Sequence, residues 1–325
     1  MTDHQPLPPA AEYFPIDERF ELKVGLSRLD SDFGNGAADA RVFQIDRQWQ
    51  AYRAATLAAR RERLDKYVCR GTGLSEAAER ALTGYLLRQL PHEYPQRFRR
   101  QDDERGVHLW CALTGETLHF DAILRLTRTD APRPLEPPYC DGLDALACQV
   151  QEDLAFVATE RLAYLHLCHP NHWAGEDKLD AEFEELHGPV PGFVRIARQS
   201  ERLVQAMVER GPFVRFAWGV ATDARLNHHP EPPPGWNGAA WRGRRFDPQG
   251  GELFLRIERQ VMVGLPQVSG FLFTIRTYLR DVCTLEPDAR RRLAAAIASM
   301  DGATAAYKGL AEQQQILCTW LASAG

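Results

Sequence analysis

The sequence predicts an α+β protein in which a mainly antiparallel sheet carries packed helices. Three observations lead there. Residues 213–220, 252–259 and 271–279 alternate in polarity with a period of two, as half-buried strands do. Long helical excursions, rather than regular βαβ units, separate the strand-like runs. Ala- and Arg-rich helical stretches lie on both sides of them, over 41–90 and 286–321, so the sheet core is expected to have helical N-terminal and C-terminal extensions.

Taken in order, residues 1–15 are Pro-rich and read as an extended surface segment ahead of a single domain over 16–325. A short strand is expected over 20–29, followed by a Gly/Asp loop. The stretch starting at Trp49 is Ala-rich and helical, and Ser75 is a helix-start residue before a second helix. Past Pro91 the pattern changes. Residues 107–113 and 117–126 flank Thr114, Gly115 and Glu116, which is a hairpin signal. A Pro-rich loop at 132–138 and the run from Gln151 lead to a strand over 162–168. In the later strands Val214, Phe216, Trp218 and Val220 oppose Arg215. Leu253, Leu255 and Ile257 oppose Phe254, Arg256 and Glu258, and Phe271, Phe273 and Ile275 oppose Thr274, Arg276 and Tyr278. The tail reads as a pair of helices broken at Asp301 and Gly302.

Bulk properties narrow the function class. The 325 residues suffice for a sizeable core, and 44% hydrophobic with 26% charged residues is a globular composition. A formal charge of −5 offers no reason to expect nucleic acid. No apolar run approaches the roughly 18 residues of a spanning helix, and the N-terminus lacks the pattern of a secretory signal. Seven cysteines with no C-x-x-C pair point to reduced thiols in a cytoplasm and exclude covalent attachment of a c-type haem.

The chemistry-bearing stretch runs from Cys168 to Pro191. Residues 174–186 are expected to be helical, with Leu179, Phe183 and Leu186 on one face and His187 on that same face in the last turn. Gly188 and Pro189 then stop the helix. An imidazole held there toward an apolar interior suits a haem iron ligand; a helix dipole alone also favours a histidine at that end. His166, His169 and His172 recur every third residue, a spacing that brings them together on neither a strand nor a helix, and no zinc-motif partner is present. Cys168 reads as a buried thiol closing a strand, or as a haem thiolate. His228 and His229 lie in a Pro-rich loop expected at the surface. Arg256, Glu258 and Arg276 would line one sheet face if their strands are neighbours, either as a paired structural cluster or as a clamp for carboxylates.

At this point a resemblance emerges. Leu167-Cys-His-Pro-Asn-His-Trp173, Glu176-Asp-Lys178-Leu and Leu186-His-Gly-Pro-Val-Pro191 resemble the signature of the haem-dependent oxidative N-demethylase α-subunit family. Gln151-Glu-Asp-Leu, Phe216-Ala-Trp218, Leu255-Arg-Ile-Glu-Arg-Gln260, Leu265-Pro266 and Phe273-Thr-Ile-Arg-Thr-Tyr-Leu279 agree in order, and the early Val24-Gly-Leu-Ser-Arg-Leu29 and the helix from Asp46 to Tyr52 also fit, so the likeness spans roughly 20–285. The resemblance implies a PAS-like core that binds haem b and uses O2 to remove a methyl group, as formaldehyde, from a secondary amine such as dimethylamine. It implies electrons from NAD(P)H through a separate flavin and iron–sulfur reductase, since this chain has neither a Gly-rich dinucleotide fingerprint nor the cysteine spacing of an iron–sulfur cluster. It makes His187 the candidate axial ligand. Arg256, Arg259 and Arg276, with Lys178 behind them, become candidates for propionate or pocket contacts, and Glu258 and Arg276 for catalytic roles. Glu258 could hold an ammonium or relay protons. Asn171-His172 stands before Trp173 where small residues are expected, and Cys168-His169 reads as particular to this chain, which puts dimethylamine itself in question as the substrate. A PAS-type haem or small-ligand sensor without turnover is the competing expectation.

Overall fold

The computed structural model describes residues 6–242 and 245–323. It opens with an irregular segment that lies against the body, where the Arg47 N–H donates to the Pro8 carbonyl. Of the strand expected over 20–29, only β1 (Ser27–Arg28) pairs, against Val214 and Phe213. Upstream of it, Phe20 turns to the C-terminal helices, its N–H donating to Ser299 Oγ at 2.8 Å. The helical half contains α1 (Trp49–Glu62), α2 (Leu64–Tyr67) and α3 (Glu76–Glu93), interrupted by β2 (Val68–Arg70). Ser75 caps α3 as its residue type predicts, accepting the Ala78 N–H at 3.1 Å.

Next comes a meander of β3 (Phe98–Asp103), β4 (Gly106–Cys111), β5 (Glu116–Phe120) and β6 (Leu126–Asp130), which contains the expected hairpin as its central pair. The remainder is α4 (Gly142–Ala147), β7 (Asp153–Ala158), β8 (Arg161–His166), α5 (Phe183–His187), α6 (Val194–Ala197), α7 (Ser200–Arg210), β9 (Phe213–Ala221), α8 (Gly238–Trp241), β10 (Phe254–Leu265), β11 (Gly270–Asp281), α9 (Pro287–Ala298), α10 (Gly302–Tyr307) and α11 (Gln314–Ser323). The tail breaks at Asp301 and Gly302 as expected, with Asp301 capping α10, but it forms three helices rather than two.

Among the described residues the strands build two antiparallel sheets. One has four strands in sequence order, and the other has seven in the order β1-β9-β10-β11-β7-β8-β2. Directly opposed residues of antiparallel strands share a face. On the rear of the large sheet, Leu154, Phe156, Tyr164, Val261 and Leu272 pack against α3, α4 and the small sheet. Leu255, Ile257 and Tyr278 pack against α9 and α11. On the front, Val157, Leu165, Met262, Phe271 and Ile275 lie under Phe183, Phe193, Val204 and Met207.

The helix expected over 174–186 does not form as one element. A 3-10 turn at Glu176–Lys178 is followed by extended chain, and only Phe183–His187 is α-helical. Tertiary bonds compete successfully for the backbone. The Asp180 N–H donates to the Leu162 carbonyl at 2.8 Å, and the Leu162 N–H to the Ala181 carbonyl at 3.0 Å, so this segment pairs with β8. The Asp180 carboxylate meanwhile accepts the N–H groups of Thr72 and Gly73.

Candidate functional site

α5 is a single turn, begun by a capping box between Glu182 and Glu185 and left at Gly188. Phe183 and His187 lie four residues apart, so they stack on one side of that turn, with ring centroids 4.3 Å apart. Phe193 stacks near-parallel to the imidazole at 5.3 Å with an interplanar angle of 24°. The His187 Nδ1–H donates to the Phe183 carbonyl at 2.8 Å, which leaves Nε2 as the lone-pair nitrogen. Among the described residues Nε2 has no hydrogen-bond partner. Burial depresses the imidazole below its ordinary value, the Phe183 carbonyl opposes this, and the nearby Arg215 charge adds to it. The result is a neutral, oriented imidazole with one nitrogen available. Such a ring, its second nitrogen fixed by a carbonyl, is prepared to ligate a metal.

His187 stands over the front face of the large sheet. That face is apolar where Phe271, Ile275, Val157 and Met262 crowd under α5 and α7. Toward the other end of β9 and β10 it becomes polar and half-covered. There Glu258 lies opposite Thr277 and Ala217, Gln260 opposite Ile275 and Arg215, and Arg256 opposite Gly219. A Cβ added to Gly219 would meet nothing within 4 Å, so the sheet floor is open at that point. An apolar floor, a polar rim and an available imidazole nitrogen fit a flat, largely apolar group carrying a metal.

Glu258 is half-buried and held by its neighbours: Oε1 accepts Arg256 Nε–H at 3.3 Å and Oε2 accepts Gln260 Nε2–H at 3.1 Å. Arg256 is 1% exposed and donates also to the carbonyls of Leu226 at 2.9 Å and His169 at 2.6 Å, and to Thr277 Oγ1. It therefore clamps two loops to the sheet and orients Glu258.

The register places Arg259 opposite Arg276, on the rear face, so Arg256, Glu258 and Arg276 do not line one side as the sequence suggested. Arg259 donates to the carbonyls of Asp39, Arg41 and Val42. Arg276 pairs with Asp46 at 2.6 Å and is sandwiched by the rings of Tyr52 and Tyr278. Both guanidiniums are enclosed beneath the 39–46 segment. Lys178 sits half-buried in the turn before Leu179, and no contact among the described residues brings it to the front cleft.

The other candidates have structural partners. His166 lies on the rear face, between Asp144 at 3.2 Å and the sulfurs of Cys148 and Cys168. Asp144, Cys148 and His166 have their donor atoms close enough for an ion. Asp144, however, is already doubly bonded to the Arg60 guanidinium, at 2.9 and 2.7 Å. Burial pushes the Cys168 thiol up to about 11, and its sulfur faces His166, which lies on the rear side of the sheet. His169 packs edge-on against Tyr52 and faces Asp153. His172 stacks on His228 at 5.0 Å. His228 and His229 are buried rather than exposed, at 1% and 2%. Asp223 bonds His228, while Glu176 and the Trp241 indole hold His229 and its carbonyl.

Two surface hollows lie elsewhere. One, of about 510 Å³, lies beside Arg80, Arg88 and Leu124, and the other, of about 420 Å³, beneath Pro8 and Pro9. Neither includes a residue of the front face. Sequence reasoning set Arg215 opposite the apolar side of its strand without making it a site residue, and passed over Ala217, Gly219 and Phe193. The one signal for the first three was a lone arginine and two small residues on the same side of an otherwise apolar strand.

No curated protein matches the chain. A family model does, over residues 35–318. That span includes α5, the front face and every candidate discussed above, and on this match the chain belongs to the haem-dependent oxidative N-demethylase, alpha subunit-like family.

Proposed function

We propose that the chain is the haem b-binding subunit of a monooxygenase that removes a methyl group, as formaldehyde, from a methylated secondary amine of the dimethylamine type. The observation that carries this reading is His187: a neutral imidazole, fixed through Nδ1 and with Nε2 unpartnered, over an apolar and incompletely covered sheet face. His187 Nε2 would hold the iron, and the absence of any atom within 4 Å of a Cβ built on Gly219 supports placing the macrocycle along that face. Haem b, when bound, supplies O2-dependent oxidation of the carbon beside the amine nitrogen.

The chain's own residues bind and orient. Glu258 is a carboxylate at the polar end of the cleft, suited to hold a substrate ammonium or to accept its proton. Arg256 and Gln260 fix both of its oxygens, so it meets the substrate in one orientation. The family description is that of an alpha subunit, which implies a partner subunit. We take the partner to be a flavin and iron–sulfur protein that delivers electrons from NAD(P)H, and we read the seven-stranded sheet as a PAS-like core. All seven cysteines are free thiols, which supports a cytoplasmic location. No helix among the described residues is long and apolar enough to cross a membrane.

The test is spectroscopic and then chemical. Purified protein given haemin should develop a Soret band, and with dimethylamine, O2 and a surrogate reductant it should release formaldehyde. A protein that takes up no haemin refutes the reading. Haem uptake without formaldehyde from any methylated amine leaves the sensor.

A further inference from the structure

The front face holds a guanidinium to which neither the fold nor the proposed chemistry assigns a partner. Arg215 projects from β9 on the same side as its cross-strand neighbour Gln260. Its Nε is buried and has no hydrogen-bond partner. Two groups act on it electrostatically: Tyr307, a phenol that is neutral at ordinary pH, and Glu258, which is already engaged by Arg256 and Gln260 and forms no ion pair with it. Burial lowers Arg215 below its usual value, yet an arginine remains cationic at neutral pH. Its charge reaches the His187 imidazole, and Ala217 and the open floor at Gly219 follow it along the same face of β9. Arg256, Arg259 and Arg276 all have their Nη groups occupied by protein acceptors. Arg215 differs from them in this respect.

A half-covered guanidinium whose Nε is buried without a partner, and whose Nη groups have no acceptor among the described residues, is placed to receive a ligand that brings the counter-charge. Its planar fork matches the two oxygens of a carboxylate. We propose that Arg215 is the carboxylate-binding residue of the His187 cleft. The inference rests on the haem-site reading for one of its two sources: the carboxylate belongs either to a propionate of the porphyrin or to an N-methylated amino-acid substrate.

The experiment compares wild type, Arg215→Gln and Arg215→Lys. Each protein is titrated with haemin and with haemin dimethyl ester, followed by the Soret band. Each apoprotein is also titrated calorimetrically with N-methylglycine and with dimethylamine. If Arg215 holds a propionate, the Gln variant binds haemin about 10–100-fold more weakly, the magnitude of a lost charge-assisted pair. The Lys variant recovers part of this, and binding of the ester is the same in all three proteins. If Arg215 holds a substrate carboxylate, haemin affinity stays constant, and N-methylglycine binding falls by a similar factor while dimethylamine binding does not. Equal haemin and N-methylglycine affinities across the three proteins overturn the proposal. A wild type that takes up no haemin refutes the haem reading by itself, and Arg215 is then decided by the N-methylglycine arm. Should the Gln variant fail to fold, the Lys variant decides: it keeps the charge, loses the fork, and must weaken one of the two ligands.

Discussion

Replacing Glu152 with Gln should flatten the dependence of stability on pH, and the size of the effect follows from the surroundings of this carboxyl. Glu152 precedes β7 and is 3% exposed. Oε1 accepts the Gln44 N–H at 2.7 Å, while Oε2 is buried without a hydrogen-bond partner. Burial raises its pKa from an ordinary 4.5 to about 7, against the opposing pull of Arg276, the Gln44 amide and Arg259. The sign follows from proton counting. Below pH 4.5 the carboxyl is protonated in both states and contributes nothing. Between 4.5 and about 7 the unfolded chain ionises and the folded one resists, so stability falls as pH rises. Above 7 both are ionised and the penalty is constant. At about 1.4 kcal/mol per tenfold change in proton affinity, the full penalty is about 3 kcal/mol.

Glutamine cannot ionise, so Glu152→Gln should match the wild type's slope below the window and escape the loss within it. Any fixed cost of burying the amide offsets the whole curve without altering its slope. Urea unfolding of the apoproteins at pH 5, 6, 7 and 8 reads this directly: the advantage of the variant should grow by about 2–3 kcal/mol from pH 5 to pH 8. A gap that is the same at every pH would refute the reasoning, because it would show that Glu152 ionises as readily in the fold as in water.

Other perturbations separate the two faces of the sheet. His187→Gly should lose the Soret band of the haemin-loaded protein and regain it on addition of imidazole; an unchanged spectrum would place the ligand elsewhere. Gly219→Val adds a strand-favouring side chain to open space, so melting should change by no more than about 0.5 kcal/mol while haemin uptake falls at least tenfold. Equal uptake would remove Gly219 from the floor of the cleft. Asp144→Asn leaves the Arg60 guanidinium buried with its charge uncompensated, which should cost about 3–5 kcal/mol by urea unfolding; a loss under 1 kcal/mol would mean that the pair is solvated. Arg276→Gln should lower the melting temperature, yet the folded fraction should keep a wild-type haem spectrum, because Arg276 and Asp46 stand behind the sheet.

What was legible in the sequence is what depends on neighbours a few residues apart. Alternation located β9, β10 and β11, and Ser75 marked the start of α3, because both signals are local. The helix expected over 174–186 failed for the opposite reason. Leu179, Phe183 and Leu186 do share one apolar cluster, so their spacing recorded burial correctly. The backbone between them answers to Thr72, Gly73 and Leu162, which no local pattern names. Likewise, the sequence could not tell whether Arg276 stands beside Glu258. A one-residue change of register between β10 and β11 would move Arg276 to the other face, and only the observed pairing of Glu258 with Thr277 decides it.

The same distinction explains why half of the candidate site could be read in advance. His187 owes its orientation to a carbonyl four residues earlier in its own turn, and so it could be singled out from the chain alone. Arg215 could be set opposite the apolar residues of its strand but not recognised as a site residue, because its lack of a partner is a fact about other strands. Gln260 stands across from it, and the acid nearby is held by Arg256 from a third position. An unpaired charge is visible only once every alternative partner has been placed. The cleft therefore combines one locally determined group and one that only the assembled sheet leaves uncommitted. If the proposed function holds, the first would fix the iron and the second the anion that comes with the cofactor or the substrate.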